Sequence, residues 1–72
     1  MRANITKARS SLGKKIQKFR KSLGYSQESF AEKIGISRTH IGHIEQGRKT
    51  PSLRLLEKIS RALKVKVANL FS

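Results

Sequence analysis

The sequence predicts an all-α fold, a compact bundle of four to five helices, on three observations. Apolar residues recur at three- and four-residue spacing in successive segments. Serines and glycines of the kind that cap helices stand at the ends of those segments. No stretch of four or more residues alternates with period two, apart from LKVKV at 63–67, whose pattern is ambiguous. A chain of 72 residues that is 36% hydrophobic supports one small core and excludes two domains.

Residues 1–9 show no apolar periodicity and read as a basic, flexible arm, leaving 10–72 as the folded domain. From Leu12 onward, Leu12, Ile16, Phe19 and Leu23 define a first helix with a lysine-rich opposite face, which Gly24 ends. Ser26 caps a second helix, Gln27 to Ile34, with Phe30, Ala31 and Ile34 inward and Gly35 closing it. Ser37 caps a third, Arg38 to Gln46, with Ile41 and Ile44 inward and Gly47 stopping it. Thr50, Pro51 and Ser52 form a break and a new cap. After it Leu53, Leu56, Ile59 and Leu63, flanked by Leu55 and Ala62, give a fourth amphipathic helix. A last short turn spans Val67 to Phe71. The expected core is Leu12, Ile16, Phe19, Phe30, Ile34, Ile41, Ile44, Leu56, Ile59 and Leu63.

Charge narrows the function. The chain has 17 Lys and Arg against 4 acids, a net charge of +13, and a sequence pI of about 11.4. The bases are uneven: residues 1–21 hold Arg2, Lys7, Arg9, Lys14, Lys15, Lys18, Arg20 and Lys21 and no acid. Such a surface calls for a polyanion, and duplex DNA, RNA and an anionic membrane face all qualify. The acids are Glu28, Glu32, Glu45 and Glu57, with no aspartate or cysteine, so paired-carboxylate catalysis, hard-cation cages and thiolate metal sites lack raw material. No enzyme, cofactor or metal is expected. His40 and His43 are spaced i, i+3 but no third ligand accompanies them. The longest apolar runs are far below the roughly 20 residues that cross a bilayer, and MRANITKARS carries no secretory signal, so a cytoplasmic protein is expected. A chain this short leaves little room for a small-molecule pocket, and no such ligand is expected.

The informative stretch is QESFAEKIGISRTHIGHIEQ, residues 27–46, two short helices joined by a tight turn. Ala31 supplies a small residue for a helix crossing, Gly35 a position of positive φ, and Ile41 and Ile44 the apolar groups that fix the second helix on the first. That is a helix-turn-helix. Starting at Gly13, GKKIQKFRKSLGYSQESFAEKIGISRTHIGHIEQGRKTPSLRLLEKISRALKV and the closing NLF resemble the phage-repressor and Xre-like helix-turn-helix proteins, whose fold is that of lambda repressor-like DNA-binding domains. Within that family the Arg-Thr pair that opens the third helix and the Gly-Arg and Pro-Ser-Leu that follow it are similar to the controller proteins of restriction-modification systems.

The resemblance implies a third helix that lies in the major groove of double-stranded DNA while the second crosses the backbone. It assigns base contacts to Ser37, Arg38, Thr39 and His43: Arg38 can fork onto guanine, and Thr39 can meet a thymine methyl or hydrogen-bond a base. Phosphate contacts fall to Gln27, His40, Gln46, Arg48 and Lys49. Arg20 and Glu45 match a structural salt bridge. Gly42 departs from the pattern, because several relatives carry a longer polar reader there. Either the backbone approaches DNA closely at Gly42 or that position reads nothing.

Read from charge alone, Arg38 and Thr39 fit a solvated first turn better than a base contact, and the lysine face of the first helix fits plain surface and phosphate contact equally. Tyr25 reads as half-buried packing. Val65, Val67, Leu70 and Phe71 are excess apolar surface: in relatives the last helices form a dimer seam, although Phe71 can equally fold back on its own domain. The expected function is therefore a sequence-specific DNA-binding transcriptional regulator that occupies a palindromic operator as a homodimer. The alternative is an antitoxin-like protein-interaction module that also binds its own promoter. A nonspecific RNA or membrane-surface binder explains the charge but leaves residues 27–46 without a role.

Overall fold

A computed structural model describes residues 5–71, with side chains described from residue 11 onward. The order is α1 (Ile5–Ser22), α2 (Gln27–Ile34), α3 (Arg38–Glu45), α4 (Leu53–Leu63) and a single 3-10 turn at Val67–Leu70. Among the described residues there is no strand. The LKVKV segment turns at Lys64 instead of extending, with φ of 59°.

α1 begins at Ile5, earlier than the sequence pattern suggested, and takes in residues 5–9 of the segment expected as an arm; residues 1–4 lie outside the described residues. Ile5, Ala8 and Leu12 stand at i, i+3 and i+7, so the apolar phase of the helix does reach back to Ile5. The short helices are held at their ends, which they need because helices of eight residues are not stable alone. Ser26 Oγ accepts from the Ser29 amide at 2.9 Å and Ser29 Oγ accepts from the Ser26 amide at 2.9 Å, a reciprocal cap on α2. Ser37 Oγ accepts from the His40 amide at 3.0 Å and Ser52 Oγ from the Leu55 amide at 3.1 Å. Gly35, at φ 78°, turns the chain between α2 and α3, a conformation with a steric penalty for residues bearing a Cβ.

The core is Leu12 and Ile16 of α1, Phe30, Ala31 and Ile34 of α2, Ile41 and Ile44 of α3, Leu56, Ile59 and Leu63 of α4, and Leu70. Three residues depart from the expected apolar faces. Phe19 is only partly buried against the core. Leu23 lies in the turn after α1 and is exposed. Leu53 is in phase with the α4 stripe but is its first residue, uncovered by any other element, and is 69% exposed.

Gly13 fixes how α1 meets α3. A Cβ at this position would fall onto the carbonyl oxygens of Ile44 and Glu45 and within 2.7 Å of the Glu45 carbonyl carbon. The two helices approach so closely that only glycine fits. Sequence reasoning placed the close crossing at Ala31 and gave Gly13 no role. The available signal was an isolated glycine inside an amphipathic helical pattern.

Candidate nucleic-acid interface

α1, α2 and the end of α3 meet at one buried ionic junction. Arg20 Nε donates to Glu45 Oε2 at 2.6 Å and Arg20 Nη2 to Glu45 Oε1 at 3.1 Å, a two-point fork. Arg20 Nη1 donates to the Tyr25 carbonyl at 2.7 Å and so ties down the loop that enters α2. Gln27 Nε2, at the start of α2, donates to Glu45 Oε1 at 3.0 Å. Arg20 and Glu45 are 4% and 6% exposed, so the pair is internal and structural. No buried side-chain nitrogen or oxygen among the described residues lacks a partner. Next to the junction, half-buried Tyr25 stacks at a tilt on Phe30 with centroids 5.5 Å apart, and Lys33 Nζ lies 5.8 Å from the Tyr25 ring centre.

This junction sets α3 with its apolar side inward and its other side on a shallow groove of about 260 Å³. The groove is lined by Gln27, Arg38, Thr39, Gly42, His43, Gln46 and Arg48. The lining contains two arginines and no acid, because the nearby carboxylate, Glu45, is buried under Arg20. Its polar groups are donors and acceptors suited to base edges and phosphates. Six of the residues assigned to DNA on sequence thus share one concave surface. Ser37, His40 and Lys49 do not line it. Ser37 holds the α3 cap through its hydroxyl, His40 is half-buried, and Lys49 is exposed beyond the end of α3.

Gly42 is the lining residue to which sequence reasoning gave no definite role. A second shallow groove, about 240 Å³, lies on α1 between Ser11, Lys14, Lys15 and Lys18. The four apolar residues assigned to a dimer seam separate. Leu70 is 1% exposed and belongs to the chain's own core, Val65 and Val67 pack partly against it, and Phe71 is 61% exposed. The 3-10 turn rotates consecutive side chains by about a third of a turn, which sends Leu70 inward and Phe71 outward. Among the described residues no group of three or more potential metal ligands occurs, and no helix is long and apolar enough to cross a membrane.

The family model for helix-turn-helix proteins matches residues 16–70, which contain the junction, the groove and every core residue except Leu12. The chain belongs to the helix-turn-helix family. Solved structures agree with this helix-turn-helix assignment. The restriction-modification controller protein C.AhdI from Aeromonas hydrophila is 31% identical with a TM-score of 0.80, covering 85% of this chain and 92% of its own. The biofilm master regulator SinR, solved in complex with DNA, is 37% identical with a TM-score of 0.79, covering 85% and 98%. The clp gene regulator ClgR from Corynebacterium glutamicum is 32% identical with a TM-score of 0.83, covering 88% and 67%. No curated protein sequence matches the chain.

Proposed function

We propose that this helix-turn-helix protein is a sequence-specific double-stranded DNA-binding transcriptional regulator, active in the cytoplasm, that occupies a palindromic operator as a homodimer. The observation that carries the reading is the acid-free groove along α3, held in place by the Arg20–Glu45–Gln27 junction. A helix presented in this way matches the width of the major groove. Arg38, in the first turn of α3, forks onto guanine O6 and N7, Thr39 reads the neighbouring base, and His43 lies one turn further along. Gln46, Arg48 and Lys49 follow the end of α3 onto the flanking phosphates, while at its start His40 meets a phosphate and Ser37, the cap residue, a base edge. Gln27 keeps one amide hydrogen beyond its bond to Glu45 for a phosphate. Support comes also from the DNA complex of SinR, 37% identical to this chain.

The dimer reading rests on Phe71, which is exposed, with Val65 and Val67 only half-buried against the core. A twofold axis through this patch places two recognition helices about 34 Å apart, one turn of DNA. Selection of bound sites from a random duplex library tests the function: a palindromic consensus is the expected result, and uniform binding of all sequences overturns it. Sedimentation of Phe71→Glu tests the seam, and an unchanged dimer rules it out.

A further inference from the structure

The chain's five glycines divide by what the fold asks of them. Gly24, Gly35 and Gly47 have positive φ, between 78° and 83°. Gly13 has ordinary helical φ but stands where a Cβ would strike backbone carbonyls. Gly42 has neither reason. It lies inside α3 with negative φ, and the nearest atom to a Cβ built there is Gln27 Oε1 at 4.0 Å, ordinary contact distance. Alanine fits, and in the middle of a helix it is the more stabilising residue. No contact within the folded chain accounts for the glycine.

What surrounds Gly42 is the groove, with Arg38, Thr39, His43 and Gln46 on the same surface. The neighbouring Gln27 amide has a fixed orientation. Glu45 accepts two bonds from Arg20 as a carboxylate and can only accept again, so Gln27 must turn its Nε2 toward Glu45, which leaves Oε1 beside Gly42. The floor of the notch is therefore a hydrogen-bond acceptor. In the major groove the base groups that donate are the exocyclic amines, N6 of adenine and N4 of cytosine.

We infer that Gly42 is a specificity-determining position: its missing side chain opens a notch in which the exocyclic amine of an adenine or cytosine reaches Gln27 Oε1. The inference rests on the DNA-binding reading above. A side chain at position 42 fills the space between the base edge and Gln27, so the bond is lost even though α3 itself becomes more stable.

The test is site selection and affinity measurement on the full chain, wild type, Gly42→Ala and Gln27→Leu, with the melting temperature of each. The expected result for Gly42→Ala is a higher melting temperature, about tenfold weaker binding to the wild-type consensus, and loss of an adenine or cytosine preference at one position of each half-site. Gln27→Leu loses the preference at that same position. Gly42→Ala with unchanged affinity and consensus overturns the inference, and so does a Gln27→Leu variant whose altered base position differs from that of Gly42→Ala. A wild-type chain that selects no consensus removes the DNA reading itself, an outcome distinct from either.

Discussion

Replacing Arg20 by alanine removes three hydrogen bonds at once: two to the Glu45 carboxylate, at 2.6 and 3.1 Å, and one to the Tyr25 carbonyl at 2.7 Å. Glu45, 6% exposed, is left as a buried carboxylate facing Gln27 Nε2, and the Tyr25 carbonyl loses its guanidinium donor. Breaking a buried pair from one side costs about 3–5 kcal/mol, because the surviving charge stays out of water without compensation. A chain of 72 residues has a total stability of roughly 4–11 kcal/mol at typical values per residue. The variant thus loses a large part of its stability. At about 4–8 °C per kcal/mol for a domain of this size, its melting temperature falls by at least about 12 °C.

Thermal unfolding followed by circular dichroism measures this directly, and the double variant Arg20→Met with Glu45→Leu separates the cause. If the loss comes from a stranded charge, the double variant is more stable than Arg20→Ala, since both charges are gone and apolar groups fill the site. A drop of under about 1 kcal/mol for Arg20→Ala, the size of an exposed ion pair, refutes the reasoning. A double variant less stable than the single one refutes it as well.

Other substitutions probe separate parts of the structure. Gly13→Ala drives a methyl group into the Ile44 and Glu45 carbonyls and destabilises the fold by about 3 kcal/mol, the upper end for overpacking; an unchanged urea midpoint contradicts the close approach. Lys64 holds φ of 59° at the end of α4, so Lys64→Gly raises stability by about 1 kcal/mol in the same assay, by relief of left-handed strain. Arg38→Ala weakens binding by about 1–3 kcal/mol and relaxes preference at one base, whereas Arg48→Ala weakens all sequences alike and lowers the slope of log K against log salt by about 1. Equal behaviour of the two arginine variants in titrations at several salt concentrations would show that the groove does not divide base from phosphate contacts.

Much of this was legible because the local signals and the packing agree. Ser26, Ser37 and Ser52 sit at the helix starts they mark in the sequence, and the spacing of Phe30, Ile34, Ile41 and Ile44 specifies which faces of α2 and α3 meet. Legibility fails where a residue's role depends on what lies opposite it. Gly13 reads as a weak point in a helix until the α3 carbonyls are placed against it. Leu53 and Leu23 have the periodicity of core residues but lie at a helix end and in a turn, beyond the reach of a covering element. Leu70 and Phe71 look alike in sequence, and the 3-10 turn alone decides which is inside. The orientation of the Gln27 amide follows from its bond to Glu45, a partner 18 residues away.

On the proposed DNA-binding role, the same contacts that stabilise α3 also bear on how well it would read a base sequence. α3 is fixed at its end: Gly13 meets the carbonyls of Ile44 and Glu45, and Arg20 and Gln27 hold the Glu45 side chain. Its opposite end carries Arg38, seven residues earlier in an eight-residue helix, or about 10 Å away at 1.5 Å per residue. A tilt of about 10° at the fixed end moves Arg38 by nearly 2 Å, well beyond the roughly 0.5 Å within which a binding constellation must be held. Phosphate attraction acts over about 10 Å at ordinary salt and hardly registers such a shift. Arg20→Lys, which keeps the charge but loses the two-point fork, should therefore lower affinity for the selected site while leaving affinity for random duplex nearly unchanged. If both fall by the same factor, the junction acts on folding alone and has no separate part in aiming the recognition helix.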